Sequence, residues 1–187
     1  MNDSIDSQKN GRDDSWGARS DLAAARIQVL LEAQASRLVL AESCTAGGIA
    51  ASLAAMPGIS KSLCGCFAVY RNDSKSRWLG LSMEDLEDPR IGSVSQITSD
   101  RLAKACLEAT PEATVALAIT GDVGPGAPSK TDGWIFLACC FRAAPANAIA
   151  IHLSTPCPQN NTDLSRRRRR LQEATALGLE FLAQCLS

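Results

Sequence analysis

Histidine is nearly absent, His152 being the only one in 187 residues. A single imidazole makes a zinc site hard to assemble, and none of the eight cysteines (Cys44, Cys64, Cys66, Cys106, Cys139, Cys140, Cys157 and Cys185) belongs to a CxxC pair. His152 stands in an apolar stretch where a packed histidine is the simpler reading, so a Ser-His-Asp triad is poorly supported. Net charge is scarce too: a formal value of -1 gives no global reason to bind nucleic acid or an anionic membrane. No apolar run approaches the roughly 18 residues that span a bilayer, and the polar N-terminus lacks the apolar core of a secretory signal. A cytoplasmic protein is expected, without metal or cofactor, its cysteines reduced and largely packed as small hydrophobes.

What is present suits one domain with a substantial core: hydrophobic residues make up 45% and charged residues 21%. Residues 1–18 are polar and aperiodic and are predicted to be a disordered tail, with a single domain over 19–187. Ser20 is predicted to cap a helix over Asp21 to Gln34. Arg37 to Ala41 follows as a strand, then a helix over Thr45 to Ala55 that stops at Met56-Pro57-Gly58. Cys64 to Tyr70 is the second strand. Short helices begin at Asn72 or Asp73 and at Ser82, and a longer one covers Ser95 to Ala109 with Ile97, Leu102, Ala105 and Cys106 inward. Ala113 to Ile119 is an apolar third strand. Trp134 to Phe141 and Ala148 to Leu153 form a hairpin, and a helix from about Thr162 closes the chain. This order predicts an α/β fold, a three-layer α/β/α sandwich around a mixed, mostly parallel sheet of about five strands.

Three stretches can carry chemistry. In RLVLAESCTAGGIA, Arg37 to Ala50, a strand feeds a helix N-terminus with Ser43 at the turn, where backbone N–H groups can hold a phosphate or a developing oxyanion. Ser43 is either a nucleophile or an N-cap; Cys44, one residue on, points elsewhere and takes no share in the same role. Lys75, in YRNDSK, sits just past the second strand, at the edge where a parallel sheet brings its β–α turns together. It is a candidate base if burial or a second cation draws it well below its ordinary pKa near 10.4, and otherwise a solvated helix residue. Tyr70 offers a hydroxyl in the same corner. The third stretch, Thr120 to Gly133, is loop by composition, and Thr120, Gly121, Gly124 and Gly126 allow close ligand approach.

Arg166 to Arg170 form an unbroken run of arginines. A helical wheel puts Leu164, Leu171, Ala174, Gly178 and Leu182 on one apolar stripe, with Arg167 in its middle and Arg168 and Arg170 beside it. An inward guanidinium needs an anion. Arg167 or Arg170 therefore serves a ligand or a structural ion pair, and a nucleic-acid helix, which would project its charges outward, is the weaker reading.

Taken together, AESCTAGG, MPGISKSLCGCFAVYRNDSK, LGLS, GSVS and AITGDVGPG resemble the C-terminal domain of the competence/damage-inducible protein CinA family, the nicotinamide-nucleotide amidohydrolases, over roughly residues 20–187. The resemblance implies a three-layer α/β/α fold and deamidation of nicotinamide mononucleotide to nicotinate mononucleotide and ammonia by a Ser/Lys mechanism. Carried over, Ser43 is the nucleophile, Lys75 the base and Tyr70 their partner, with backbone near Thr45, Ala46 and Gly47 serving the oxyanion. Thr120, Gly121 and Gly124 meet the substrate, joined by Arg167 or, second, Arg170. The family's GIAGPGG reads GDVGPGA here, and YSNEAK reads YRNDSK, so Asp122 enters the loop and Arg71 is offered as the second cation near Lys75. The resemblance further implies a nucleotide substrate and a stand-alone version lacking the family's larger N-terminal domain; separately, a homo-oligomer such as a dimer is the expected assembly. A catalytically impaired nucleotide-binding or interaction module of the same fold is the alternative.

Overall fold

The computed structural model describes residues 14–157 and 162–187. Five strands, β1 (Leu38–Glu42), β2 (Leu63–Ala68), β3 (Val115–Gly121), β4 (Trp134–Phe141) and β5 (Asn147–His152), form one sheet in the order β2-β1-β3-β4-β5. β1 runs parallel to both β2 and β3, and β3-β4-β5 continue antiparallel. Among the described residues six α-helices surround it: α1 (Asp14–Ala33), α2 (Gly48–Ala54), α3 (Asn72–Leu79), α4 (Met83–Glu87), α5 (Gln96–Ala109) and α6 (Leu164–Cys185).

The period-2 alternation of the central strands divides the core into two layers. Leu38 and Leu40 of β1 join Leu117 and Ile119 of β3 and Leu137 of β4 under Ile27, Leu31, Ile49, Leu53, Leu179 and Leu182, so α1, α2 and α6 cover one face. Val39 and Ala41 join Ala116 and Ala118 under Leu79, Leu86, Leu102 and Cys106, so α3, α4 and α5 cover the other. The expected three-layer mixed α/β/α sandwich is what forms. All eight cysteines are free thiols, and among the described residues no helix is long and apolar enough to cross a membrane.

Several local expectations are corrected. α1 begins at Asp14 rather than Asp21, so Ser20 lies inside it and is buried instead of capping it. Its polar first turns are held by tertiary contacts: the Arg19 guanidinium donates to both carboxylate oxygens of Glu180 at 2.7 and 2.6 Å and lies 4.3 Å over the Trp16 ring. Residues 1–13 of the predicted tail lie outside the described residues. Ile97, expected to face inward from its helix, and Leu164, placed on the apolar stripe by the wheel, are exposed. α2 starts at Gly48, not Thr45, because Ala46 and Gly47 adopt positive φ values of 51° and 100° and no helix passes through that conformation.

Candidate active site

In the parallel half of the sheet the chain leaves β1 over one face through α2 to reach β2, then returns over the other face through α3, α4 and α5 to reach β3. The carboxyl ends of β1 and β3 therefore flank the crevice where the connections diverge, the position at which open α/β sheets bind ligands. Ser43 follows β1 directly, and its N–H donates to Ile119 O of β3 at 3.0 Å, joining the two strand ends. A cavity of about 310 Å³ opens there. Ser43, Tyr70, Lys75, Gly121, Gly124 and Arg167 all line it, so segments from β1, β2, β3 and α6 converge as the resemblance implied.

Lys75 is the most unusual of these groups. The residue is 2% exposed overall; among the described residues no acceptor takes its ammonium protons, and since no fully buried polar side-chain atom lacks a partner there, its Nζ keeps a small opening. Burial pulls its pKa below the ordinary lysine value, with the Asp122 carboxylate, and any thiolate at Cys44, acting in the opposite sense. Arg71, offered as the second cation, is exposed, lies outside the cavity wall and has no part in the shift. Cys44 does border the cavity, contrary to its expected direction. Burial, followed by the charge of Glu42, pushes its thiol up to about 12, so it is no thiolate at neutral pH.

The expected oxyanion turn is differently wired. Glu42, the last residue of β1 and 1% exposed, turns its carboxylate into the α2 N-terminus. One oxygen accepts from Thr45 Oγ1 (2.7 Å), Gly47 N–H (2.9 Å) and Ile49 N–H (3.2 Å), the other from Ala50 N–H (2.8 Å). Ala46 N–H donates to Ser43 O at 3.2 Å. Thr45 through its hydroxyl, and Ala46 and Gly47 through their N–H groups, are therefore engaged within the protein and do not present those donors to a ligand. An internal anion already occupies the positive end of that helix. Among the described residues nothing accepts from the N–H groups of Cys44 and Thr45.

The loop after β3 is corrected in the same way. Thr120 is fully buried, its hydroxyl donating to Ser93 O at 2.8 Å, so it fixes the segment before α5 rather than facing the cavity. Gly121 does line the cavity, but a Cβ there would meet Trp134 O at 2.7 Å, so the glycine is required by the close approach of β4. Gly124 contributes its carbonyl, which accepts from the Arg167 guanidinium; a second Arg167 nitrogen donates to Tyr70 Oη at 2.9 Å. Tyr70 is half exposed at the rim.

Arg167 and Arg170 divide the two roles left open by the wheel. Arg167 reaches the cavity. Arg170 is 2% exposed and forms an ion pair with Asp132 at 2.6 Å while donating to Thr155 O at 2.9 Å, which makes it structural. Arg166 makes a part-exposed pair with Asp163 at 3.3 Å, one turn away at the start of α6, whereas Arg167 and Arg170 direct charge into the molecule. The hydrogen bond from Arg170 holds the Asp132 carboxyl below the ordinary carboxylate range. The stabilisation it carries is complete above the ordinary carboxylate pKa and is lost as pH falls through the lowered folded value. Arg170→Met is expected to cost about 2 kcal/mol at neutral pH, discounted for the partial exposure of Asp132, and to cost less under acid. Urea unfolding at two pH values checks this.

Sequence reasoning missed Glu42, Asn72 and Ser93. Asn72 and Ser93 line the cavity and lie within the motifs YRNDSK and GSVS, in which neither residue carries an expected site role. Glu42 had a signal, as the one acid closing the otherwise apolar strand LVLAE. His152 meets Trp134 edge-on at 5.1 Å between ring centroids and lies outside the cavity.

Residues 20–186 match the CinA C-terminal domain family. A CinA-like protein of Myxococcus xanthus is 33% identical over 173 residues, covering 91% of this chain and 38% of the relative. One from Mycolicibacterium vanbaalenii is 32% identical over 152 residues, covering 80% and 33%. The chain thus spans 33% to 38% of the length of these relatives. Among solved structures, the competence/damage inducible protein CihA from Agrobacterium tumefaciens superposes with a TM-score of 0.78 at 27% identity, over 90% of this chain and 95% of that one. A competence or damage-inducible protein from Enterobacter asburiae gives 0.77 at 23% identity, over 90% and 98%, a likeness of fold. With the family match covering nearly all the described residues and the fold shared over 90% of the chain, the chain belongs to the CinA C-terminal domain family.

Proposed function

We propose that the chain is an amidohydrolase converting nicotinamide mononucleotide and water to nicotinate mononucleotide and ammonia, with Ser43 as nucleophile and Lys75 as general base. The observation that supports it most is a buried lysine, drawn toward its neutral form, lining the same cavity as a serine at a strand end. A neutral Lys75 Nζ takes the Ser43 Oγ proton as the oxygen attacks the amide carbonyl. The oxyanion that forms is served by the N–H groups of Cys44 and Thr45. Lys75 returns the proton to the departing nitrogen, which leaves as ammonia, and water attacks the resulting ester with Lys75 again as base. The product is the free acid and the serine is regenerated.

In this reading the phosphate lies toward Arg167, whose guanidinium Tyr70 and the Gly124 carbonyl hold in place. Arg167→Ala is expected to raise KM by roughly tenfold or more with a smaller effect on kcat, which steady-state kinetics measure. Nicotinamide mononucleotide is supplied to the purified protein and ammonia is assayed beside a Ser43→Ala control. Release well above the control supports the amidase. No excess release contradicts it, and nucleotide binding in the same preparation would then favour a binding module.

A further inference from the structure

The cavity wall carries one charged group that the proposed hydrolysis does not use. Asp122 opens the β3–β4 loop with its backbone clamped on both sides: its N–H donates to Trp134 O at 3.0 Å and its carbonyl accepts from Gly133 N–H at 2.8 Å. The side chain therefore leaves a fixed main chain, on the wall it shares with Ser43 and Lys75. Among the described residues no side chain forms a hydrogen bond or an ion pair with its carboxylate. The carboxylate thus stands half-buried on this wall without a hydrogen-bonded partner.

Charged groups face Asp122 from two sides, and on the outer one it shares a second cavity with Glu87, Asp88 and Lys130. Lys75 faces Asp122 from α3 and Cys44 borders both from the β1–α2 turn. Arg167, from α6, is held by Gly124 O and by Tyr70 Oη, which follows β2. When Lys75 is neutral, as a base must be, Asp122 is left as the anion on one wall while the Arg167 cation stands on another. A ligand bridging them experiences opposite potentials at its two ends.

We infer that Asp122 is a specificity-determining residue, selecting ligands that place a positive charge beside the reacting carbonyl and an anionic group toward Arg167. The choice of carbonyl rests on the amidase reading, whereas the charge preference does not. A pyridinium ring bearing a carboxamide and a phosphorylated ribose has this arrangement. The same molecule with a neutral dihydropyridine ring lacks the cation and keeps the rest.

The test is calorimetric titration of the Ser43→Ala chain, which reads binding without turnover, with nicotinamide mononucleotide and with its 1,4-dihydro form. The cationic ring is expected to bind about tenfold or more tightly than the neutral one. Asp122→Asn on the same background should bring that ratio to about one to two, with affinity for the neutral ring changed less than about threefold. Thermal melting confirms that the isosteric variant is folded. A preference that survives Asp122→Asn, or equal binding of the two forms before it, overturns the inference and leaves the amidase reading standing. No binding of either form overturns both. In the Ser43-intact chain, Asp122→Asn should also move the acidic limb of the kcat/KM profile to lower pH, because removing the anion makes the Lys75 ammonium easier to deprotonate. A limb that stays put contradicts the inference.

Discussion

Lys75→Met is expected to yield a chain that has lost turnover by roughly a thousandfold or more and yet melts at a higher temperature than the parent at neutral pH. The two effects share one cause. An unfolded lysine keeps its proton up to about 10.5, whereas burial lowers the folded value. Between those limits the unfolded chain binds more protons than the folded one, so stability rises with pH across the window, and below it the full penalty of burying the charge is present. Methionine fills a similar space with nothing to desolvate, so the gain is expected to be about 1 kcal/mol, the order usual when a strained functional group is removed. It should shrink as pH approaches 10.5. Thermal melts of both proteins across pH 6 to 10 measure it. A variant less stable at every pH would mean that Lys75 is structurally paired and that its burial does not prepare a base.

Glu42→Ala is expected to be the most damaging single change to stability. It leaves the Thr45 hydroxyl and the N–H groups of Gly47, Ile49 and Ala50 without the carboxylate that accepts from all four. Hydrogen bonds to a charged group are worth about 1.5–3 kcal/mol each, and buried donors left unsatisfied carry their own penalty. A net cost of about 3–5 kcal/mol is expected, a large share of the 5–15 kcal/mol typical of a domain. Glu42→Gln keeps the shape but turns an amide group toward donors, and should cost about half as much. Urea unfolding gives the ranking directly. The turn that Glu42 ties down also carries Ser43, so the glutamine variant, where folded, should lose kcat more than it raises KM. Unchanged kcat in a folded Glu42→Gln chain would mean that the turn keeps its shape without the carboxylate.

Much of this was legible in the sequence, because local signals and tertiary packing agree through most of the chain. The alternation of apolar runs with breaker pairs carries the strand and helix order, and Ser82 opens α4 where expected, accepting from Asp85 N–H, just after Gly80 closes α3 in the left-handed conformation. Periodicity located the inward face of α6 but could not say which arginine met which anion. Asp132, the partner of Arg170, lies 38 residues earlier in a loop without period. The first turns of α1 read as tail because they are polar, and they are helical because Glu180, 161 residues away, holds Arg19. The candidate site was half legible. Ser43, Tyr70, Lys75, Gly121, Gly124 and Arg167 do meet around one cavity. Ala46, Gly47 and Thr120 carry donors that the fold uses internally, whereas Thr45 spends its hydroxyl on Glu42 and keeps its N–H; a strand-to-helix turn looks the same in sequence whether its N–H groups await a ligand or already hold a carboxylate.

The central proposal is that Ser43 attacks an amide carbonyl with Lys75 as its base, and it is tested most directly by trapping the intermediate. A reaction with nicotinamide mononucleotide, quenched in acid within the first turnover and digested, is read by peptide mass spectrometry. The expected result is an ester-linked acyl group on the peptide containing Ser43, missing when Ser43→Ala or Lys75→Met is used. Turnover that continues undiminished in Ser43→Ala, with no acyl group on that peptide in the parent chain, would contradict it.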